Sequence, residues 1–268
     1  MSDHLLRRHA PITDEGWRRI DDEARDRLTP GLAARRLVDF AGPLGWDYSA
    51  TNLGRVDAMD VSPLGEVEGR RRRVLPLVEL RAPFRVSREE LRAGDRGAQD
   101  IDFEDLDAAA LRMVVAENTA VFHGWSHAGI AGIAPSSPYE PITCGDEIAR
   151  YPSHVAGAVE VLLRNGVSGP YGIALGRDEY RRVIETAEHG GYPLFDHLRK
   201  ILGGPIVWAP GVVGGVVVSM RGGDFLLESG QDLAVGYDAH DDDGVALYLE
   251  ESFSFRIASP EAAVEITP

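Results

Sequence analysis

Residues 245–257 alternate along the chain. Val245, Leu247, Leu249, Phe253, Phe255 and Ile257 are apolar, and Ala246, Tyr248, Glu250, Ser252, Ser254 and Arg256 between them are mostly polar. Glu251 alone breaks the apolar set. A period of two sustained this far predicts a β-strand. It exceeds the usual five or six residues, so it must lie along something equally extended, a long helix or a neighbouring subunit. Asp241-Asp-Asp-Gly244 before it has turn chemistry, which makes 231–250 a hairpin.

A helical period appears elsewhere. Thr13 can cap a helix with Asp14 and Glu15 in its first turn. Trp17, Ile20, Ala24 and Leu28 then recur at spacings of three and four, one narrow stripe flanked by charge, until Pro30-Gly31 stops it. Residues 103–122 form a second, longer helix of roughly 30 Å. Leu106, Ala109, Ala110, Met113, Ala116 and Ala120 line one side, and Asp107, Arg112 and Glu117 are expected on the polar side.

Between them, 49–85 reads as extended chain punctuated by Gly54, Pro63, Gly65 and Gly69. Arg70, Arg71, Arg72 and Arg73 form a charged run, expected on a solvated or subunit-contacting edge strand where charge blocks unwanted pairing. From 133 onward short elements alternate. Helices are predicted near 155–165, 178–187 and 193–202, and strands at 171–175, 206–208 and 216–220. The pattern predicts an α+β protein with a compact α/β unit inserted between the long helix and the C-terminal hairpin.

Composition narrows the partners. The chain has 268 residues, 44% hydrophobic and 26% charged, enough for a core without staples. A formal net charge of -15 argues against nucleic acid as the main partner. The single cysteine, Cys144, allows no disulfide within the chain and suits the cytoplasm. The N-terminal residues lack the apolar core of a signal peptide, and no apolar run approaches the roughly 20 residues that span a bilayer.

No catalytic constellation is legible. Gly124-Trp-Ser-His-Ala128 follows the end of a helix and ends in alanine, the wrong context for a nucleophile elbow. His123 and His127 stand four apart but lack a third metal ligand nearby. Asp241, Asp242 and Asp243 lack the distal glutamate of a calcium loop. Neither Gly203-Gly-Pro205 nor Gly214-Gly215 fits a phosphate-binding template. No catalytic residue, no metal and no cofactor is expected.

Several segments together resemble one family. They are Leu6-Arg-Arg-His-Ala-Pro-Ile-Thr13, Gly42-Pro-Leu-Gly-Trp-Asp-Tyr48, Pro76-Leu-Val-Glu-Leu-Arg-Ala-Pro-Phe84, Ala120-Val-Phe-His-Gly124 and Gly169-Pro-Tyr171. The C-terminal signature is Arg221-Gly-Gly-Asp-Phe225, then Gly230-Gln-Asp-Leu233, Gly236-Tyr237 and the strand Leu247-Tyr-Leu-Glu-Glu-Ser-Phe-Ser-Phe255. In this order they resemble the encapsulins, prokaryotic nanocompartment shell proteins with the capsid fold of the Hong Kong 97 bacteriophage. The resemblance covers nearly the whole chain.

It implies a peripheral domain of 1–48, 86–132 and 221–257, an extended loop of 49–85, and an axial domain of 133–220 and 258–268. It implies self-assembly, with about sixty copies per icosahedral shell. Cargo would be a ferritin-like protein or a dye-decolourising peroxidase serving iron storage or oxidative-stress defence, brought in by a C-terminal targeting peptide. On the inner wall, Leu28, Leu32, Leu233 and Val235 would floor the peptide groove, and Arg35, Asp39 and Asp232 would form its rim. Glu188, His189, Gly190 and Gly191 would line a fivefold pore. Some members bind a flavin between a tryptophan and a tyrosine. Here Glu89 falls at the tryptophan position and Tyr192 at the tyrosine, so no flavin is expected. A tailed-phage major capsid protein shares the fold and is the alternative, followed by a bacteriocin or protease.

Overall fold

A computed structural model describes residues 4–60, 65, 67–145, 147–187 and 191–268. Helix α1 (Asp14–Leu28) starts where its capping chemistry says it should. The Thr13 hydroxyl accepts from Gly16 N at 3.0 Å, satisfying a donor that no helical carbonyl can reach. Trp17, Ile20, Ala24 and Leu28 are buried, as their spacing predicts. The short α2 (Ala34–Leu37) and β1 (Asp39–Ala41) follow. Next come strands β2 (Ala50–Met59), β3 (Gly69–Pro76) and β4 (Val78–Ser87), and helices α3 (Arg88–Asp95) and α4 (Glu104–Phe122).

The inserted unit contains α5 (Ile133–Ser136), β5 (Ile142–Thr143), α6 (Tyr151–Arg164), β6 (Tyr171–Leu175), α7 (Arg177–Glu185), α8 (Leu194–Leu202), β7 (Gly203–Trp208) and β8 (Gly215–Ser219). The chain returns through β9 (Phe225–Ser229), β10 (Ala234–His240) and β11 (Gly244–Ile257), and β12 (Ala263–Thr267) completes the second sheet.

β11 organises the first sheet. β4 pairs antiparallel along one edge, from Gly244↔Ser87 to Phe253↔Val78. The other edge is shared by two strands in tandem, β10 against Val245–Glu250 and β9 against Phe253–Ile257. Between them residues 230–233 are irregular, held to β11 by Gly230 N to Ser252 O and Ser252 N to Gln231 O, both at 2.9 Å. Gly230 permits the crossing, because a Cβ there would stand 2.6 Å from Leu77 Cδ2 and 2.8 Å from Ser252 Oγ. The predicted hairpin turn forms, with Asp241 Oδ1 accepting from Asp243 N at 3.0 Å and Gly244 N at 2.9 Å. Arg85 reaches the same carboxylate. These bonds hold Asp241 down at about 2, the Gly244 donor first, then Arg85 and Asp243.

β2 and β3 form a separate two-stranded ribbon. Val56, Met59 and Val74 on it are exposed. Such a ribbon is marginal in water without a covering surface. The second sheet runs β5-β12-β8-β6-β7, with β6 and β7 parallel and β8 antiparallel to both β6 and β12. β6 and β8 are buried throughout, so they read as continuous apolar runs. Among the described residues no helix is long and apolar enough to cross a membrane.

Two apolar cores result, and both α4 and β11 run through both. Leu106, Ala109, Ala110, Met113 and Val114 of α4 share the first core with α1 and with Val245, Leu247 and Leu249 of β11. Ala120, Val121 and Phe122 enter the second core, as do Phe253 and Phe255. The buried residues between are polar. Glu117, expected on the polar side of the helix, is instead fully buried there. The helical period identified a charged residue but not the buried cation that meets it, described below.

Asn118 beside it uses both ends of its amide. Its Oδ1 accepts from Ala33 N at 3.1 Å and Ala34 N at 3.2 Å. Its Nδ2 donates to Gly31 O at 2.8 Å and Pro210 O at 3.0 Å. One side chain thus ties the α1–α2 corner, α4 and the inserted unit. Replacing it by leucine takes a partner from four buried backbone groups, of which Ala33 N and Gly31 O still bond each other at 2.7 Å. Asn118→Leu is expected to cost about 2–4 kcal/mol, read as a lower urea midpoint with an unchanged slope.

Candidate functional site

A groove of about 360 Å³ lies between α1 and the interruption that separates β9 from β10. The apolar stripe of α1 supplies Leu28, the turn after it Leu32, and the departing strand Leu233 and Val235. Leu28 and Val235 are buried, whereas Leu32 and Leu233 are half-buried. Such a floor suits aliphatic side chains, each buried methylene contributing about 0.8 kcal/mol. Asp232 and Arg35 also line the groove, so six of the seven expected docking residues share it.

Asp39 does not join them. β1 pairs parallel with β9, in register Asp39↔Leu226. That pairing carries Asp39 to the 222–223 turn, where its Oδ2 accepts from Gly223 N at 2.6 Å. It lines a different, smaller cavity with Leu37 and Phe225. The family resemblance implied a rim shared with Arg35, but the strand directs it away.

Arg35 is the chemical centre of the site. Its Nε donates to Glu117 Oε2 at 2.7 Å, Nη1 to Asp232 Oδ1 at 2.6 Å and Nη2 to Glu251 Oε2 at 2.8 Å. Glu117 is 0% and Glu251 1% exposed, Arg35 15% and Asp232 36%. The guanidinium also stands 4.8 Å from the centre of the Phe40 ring. Burial opposes its charge, but the three carboxylates overcome that and hold Arg35 above its ordinary value. Burial in turn pushes both glutamates up, and Arg35 opposes it.

Arg7 and Asp21 also line the groove and pair at 2.7 Å, with Arg7 4.1 Å from the Trp17 ring centre. Sequence reasoning missed Glu117, Glu251, Arg7 and Asp21. The one available signal was Glu251, the charge that interrupts the apolar face of an otherwise alternating strand.

The remaining candidates fall elsewhere. Glu188, His189 and Gly190 lie outside the described residues; Gly191 lies in the connection between α7 and α8. Glu89 on α3 pairs with Arg96 at 2.7 Å. Tyr192 meets His197 edge-on at 6.5 Å and Lys200 Nζ at 4.9 Å. His123 Nε2 accepts from Val213 N at 3.1 Å, and burial lowers its pKa. That nitrogen is occupied, and His127 is exposed on a separate short turn. Cys144 Sγ lies 3.1 Å from His154 Nδ1, but burial pushes the thiol up to about 11, away from a reactive thiolate. Among the described residues no group of three His, Cys, Asp or Glu could hold a metal.

Removing Arg35 leaves two buried carboxylates without their cation. Arg35→Met is expected to lose about 3–5 kcal/mol, and Arg35→Lys to recover only part, because an ammonium cannot fork to three carboxylates at once. The raised glutamates favour the folded state when protonated. The deficit of Arg35→Met relative to wild type therefore shrinks as pH falls from about 7 to 5, which parallel urea titrations would measure.

The chain matches, over residues 2–254, the family model described as "Encapsulating protein for peroxidase". It is 45% identical over 267 residues to a type 1 encapsulin shell protein of Rhodospirillum rubrum, covering 98% of this chain and 95% of that one. A type 1 encapsulin shell protein of Mycobacterium tuberculosis is 38% identical over 265 residues, covering 98% and 99%. In fold it resembles the virus-like particle from Pyrococcus furiosus, with TM-score 0.63 at 19% identity over 93% of this chain and 98% of that one. It also resembles the structure of Mycobacterium phage Bobi, with TM-score 0.52 at 13% identity over 89% and 90%. The phage likeness is one of fold, whereas the likeness to encapsulins extends through the sequence. These relatives are named as shell proteins, not enzymes. The chain accordingly belongs to the encapsulin shell-protein family and has the α+β fold of phage-like capsids.

Proposed function

We propose that this shell protein assembles in the cytoplasm as a closed compartment of about sixty copies and holds a cargo enzyme on its inner wall. The observation that carries the cargo reading is the groove. Its aliphatic floor of Leu28, Leu32, Leu233 and Val235 beside the charged Arg35 and Asp232 fits an extended peptide with a few apolar anchors. A C-terminal segment of the cargo is the natural occupant, because a chain end can enter the groove while its folded domain stays in the lumen.

The cargo enzyme carries the chemistry, and the shell subunit supplies enclosure. A dye-decolourising peroxidase accords with the family description; a ferritin-like iron-storing protein is the other cargo class. Either would serve oxidative-stress defence or iron storage. Small molecules would enter through pores, with the connection around Gly191 as the candidate fivefold lining. No flavin is assigned, because Glu89 offers a carboxylate where an indole would stack.

The exposed β2–β3 ribbon supports self-assembly. Its apolar residues Val56, Met59 and Val74 and the arginines at 70–73 are exposed in the isolated subunit. Another copy can cover the ribbon, with its arginines against that copy's acidic surface, and so remove the marginal stability of two strands alone. Nucleic acid is not the expected content, given the net charge of -15.

The groove is tested with Leu233→Asp, which places a charge among the anchors at a half-buried position and leaves the buried Leu28 and Val235 in place. Shells purified from the native host are expected to co-purify with a peroxidase or ferritin-like protein, identified by mass spectrometry. The variant is expected to form shells of the same mass and lose at least 90% of that protein, the roughly tenfold effect of about 1.4 kcal/mol. Variant shells that keep their full cargo would place the docking site elsewhere.

A further inference from the structure

Glu117 and Glu251 reach the same guanidinium from opposite elements, α4 and β11. Each gives one oxygen to Arg35. The second oxygens, Glu117 Oε1 and Glu251 Oε1, are buried with no donor. The two carboxyl groups converge on one guanidinium, and two carboxyls can share a hydrogen bond only when one carries a proton. Asp232 supplies a third carboxyl to Arg35, so the cluster holds three acids against one cation.

We infer that one buried proton shared by Glu117 and Glu251 keeps Arg35 bound to Asp232, and that losing it opens the groove at alkaline pH. With the proton in place the cluster carries one net negative charge. Without it the charge is two, with both buried carboxylates competing for a guanidinium that also holds the half-exposed Asp232. Asp232 is the partner that water can take over, so it is the one released. Gly230 and Gln231 before it stay bonded to Ser252 of β11, so the part that moves is Asp232 and Leu233, between that anchor and the start of β10.

Arg35 comes from α2, Asp232 from the segment before β10, and Arg7, Asp21 and Arg25 line the same groove on the side of α1. The neighbouring Glu250 is not part of the cluster. It lies on the other face of β11, where Arg81 of β4 and His4 of the N-terminal segment pair with it. The inference depends on this geometry and holds whether or not a cargo peptide uses the groove.

Burial raises both glutamates. A group raised in the folded state contributes stability that is present at low pH and lost as pH rises through its folded value. Opening of the groove is therefore an alkaline event, not an acidic one. Its linkage to one proton makes opening about tenfold more favourable for each pH unit above the titration.

Hydrogen–deuterium exchange on assembled, cargo-free shells reads this directly, with assembly followed by light scattering and rates corrected for intrinsic pH dependence. The expected result is loss of protection in residues 28–37 and 231–236 between about pH 7 and 9.5, about tenfold per pH unit past the titration, while the rest of β11 stays protected. Glu251→Gln supplies a permanent amide donor to Glu117 and should flatten the profile; Glu117→Gln should do the same from the other side. Constant wild-type protection up to pH 9.5, variants that track wild type, or exchange rising equally through both cores would each overturn the inference. The wild-type profile alone decides it if neither variant assembles.

Discussion

Arg35 joins the two apolar cores of the subunit. α4 and β11 each leave one core and enter the other at nearly the same level, and their polar residues meet there. Glu117 comes from the helix, Glu251 from the strand, and one guanidinium accommodates both at 2.7 and 2.8 Å. Two well-packed apolar residues could replace such a pair with little loss of stability. What apolar residues cannot supply is a fixed register between a 19-residue helix and a 14-residue strand. The fork geometry of arginine permits a single alignment, and Asn118 repeats the constraint one residue later through four backbone partners.

The groove follows from the same junction. β9 and β10 share one edge of β11 and must part where the cores part. The residues that bridge the gap, 230–233, carry Asp232 to Arg35 and Leu233 to the stripe of α1. The groove is thus built into the connection between the two cores, which ties its shape to the elements that shape the subunit itself. The β2–β3 ribbon contrasts with it, having little core of its own and leaving Val56, Met59 and Val74 exposed.

Much of this was legible in the sequence, and what was missed has physical causes. The alternation at 245–257 located β11 to within a residue, because a strand buried against long partners repeats its pattern over its whole length. Thr13 and the stripe from Trp17 to Leu28 located α1 equally well. Leu28, Leu32, Leu233 and Val235 came together as expected, with Arg35 and Asp232 beside them. Asp39 did not, because parallel pairing with β9 is a long-range fact that residue spacing does not contain. Glu117 was misplaced because a helical period sorts residues by polarity, and a buried ion pair is polar on the inside. The break at Glu251 was the only local trace of it.

A shell subunit is defined by what it becomes in many copies, so the mass of the protein expressed alone is the direct test. Size-exclusion chromatography with light scattering should find one particle of about 1.7 MDa, sixty copies of a 29.1 kDa chain. A monomer or small oligomer under the same conditions would contradict the account, leaving a capsid fold without a capsid.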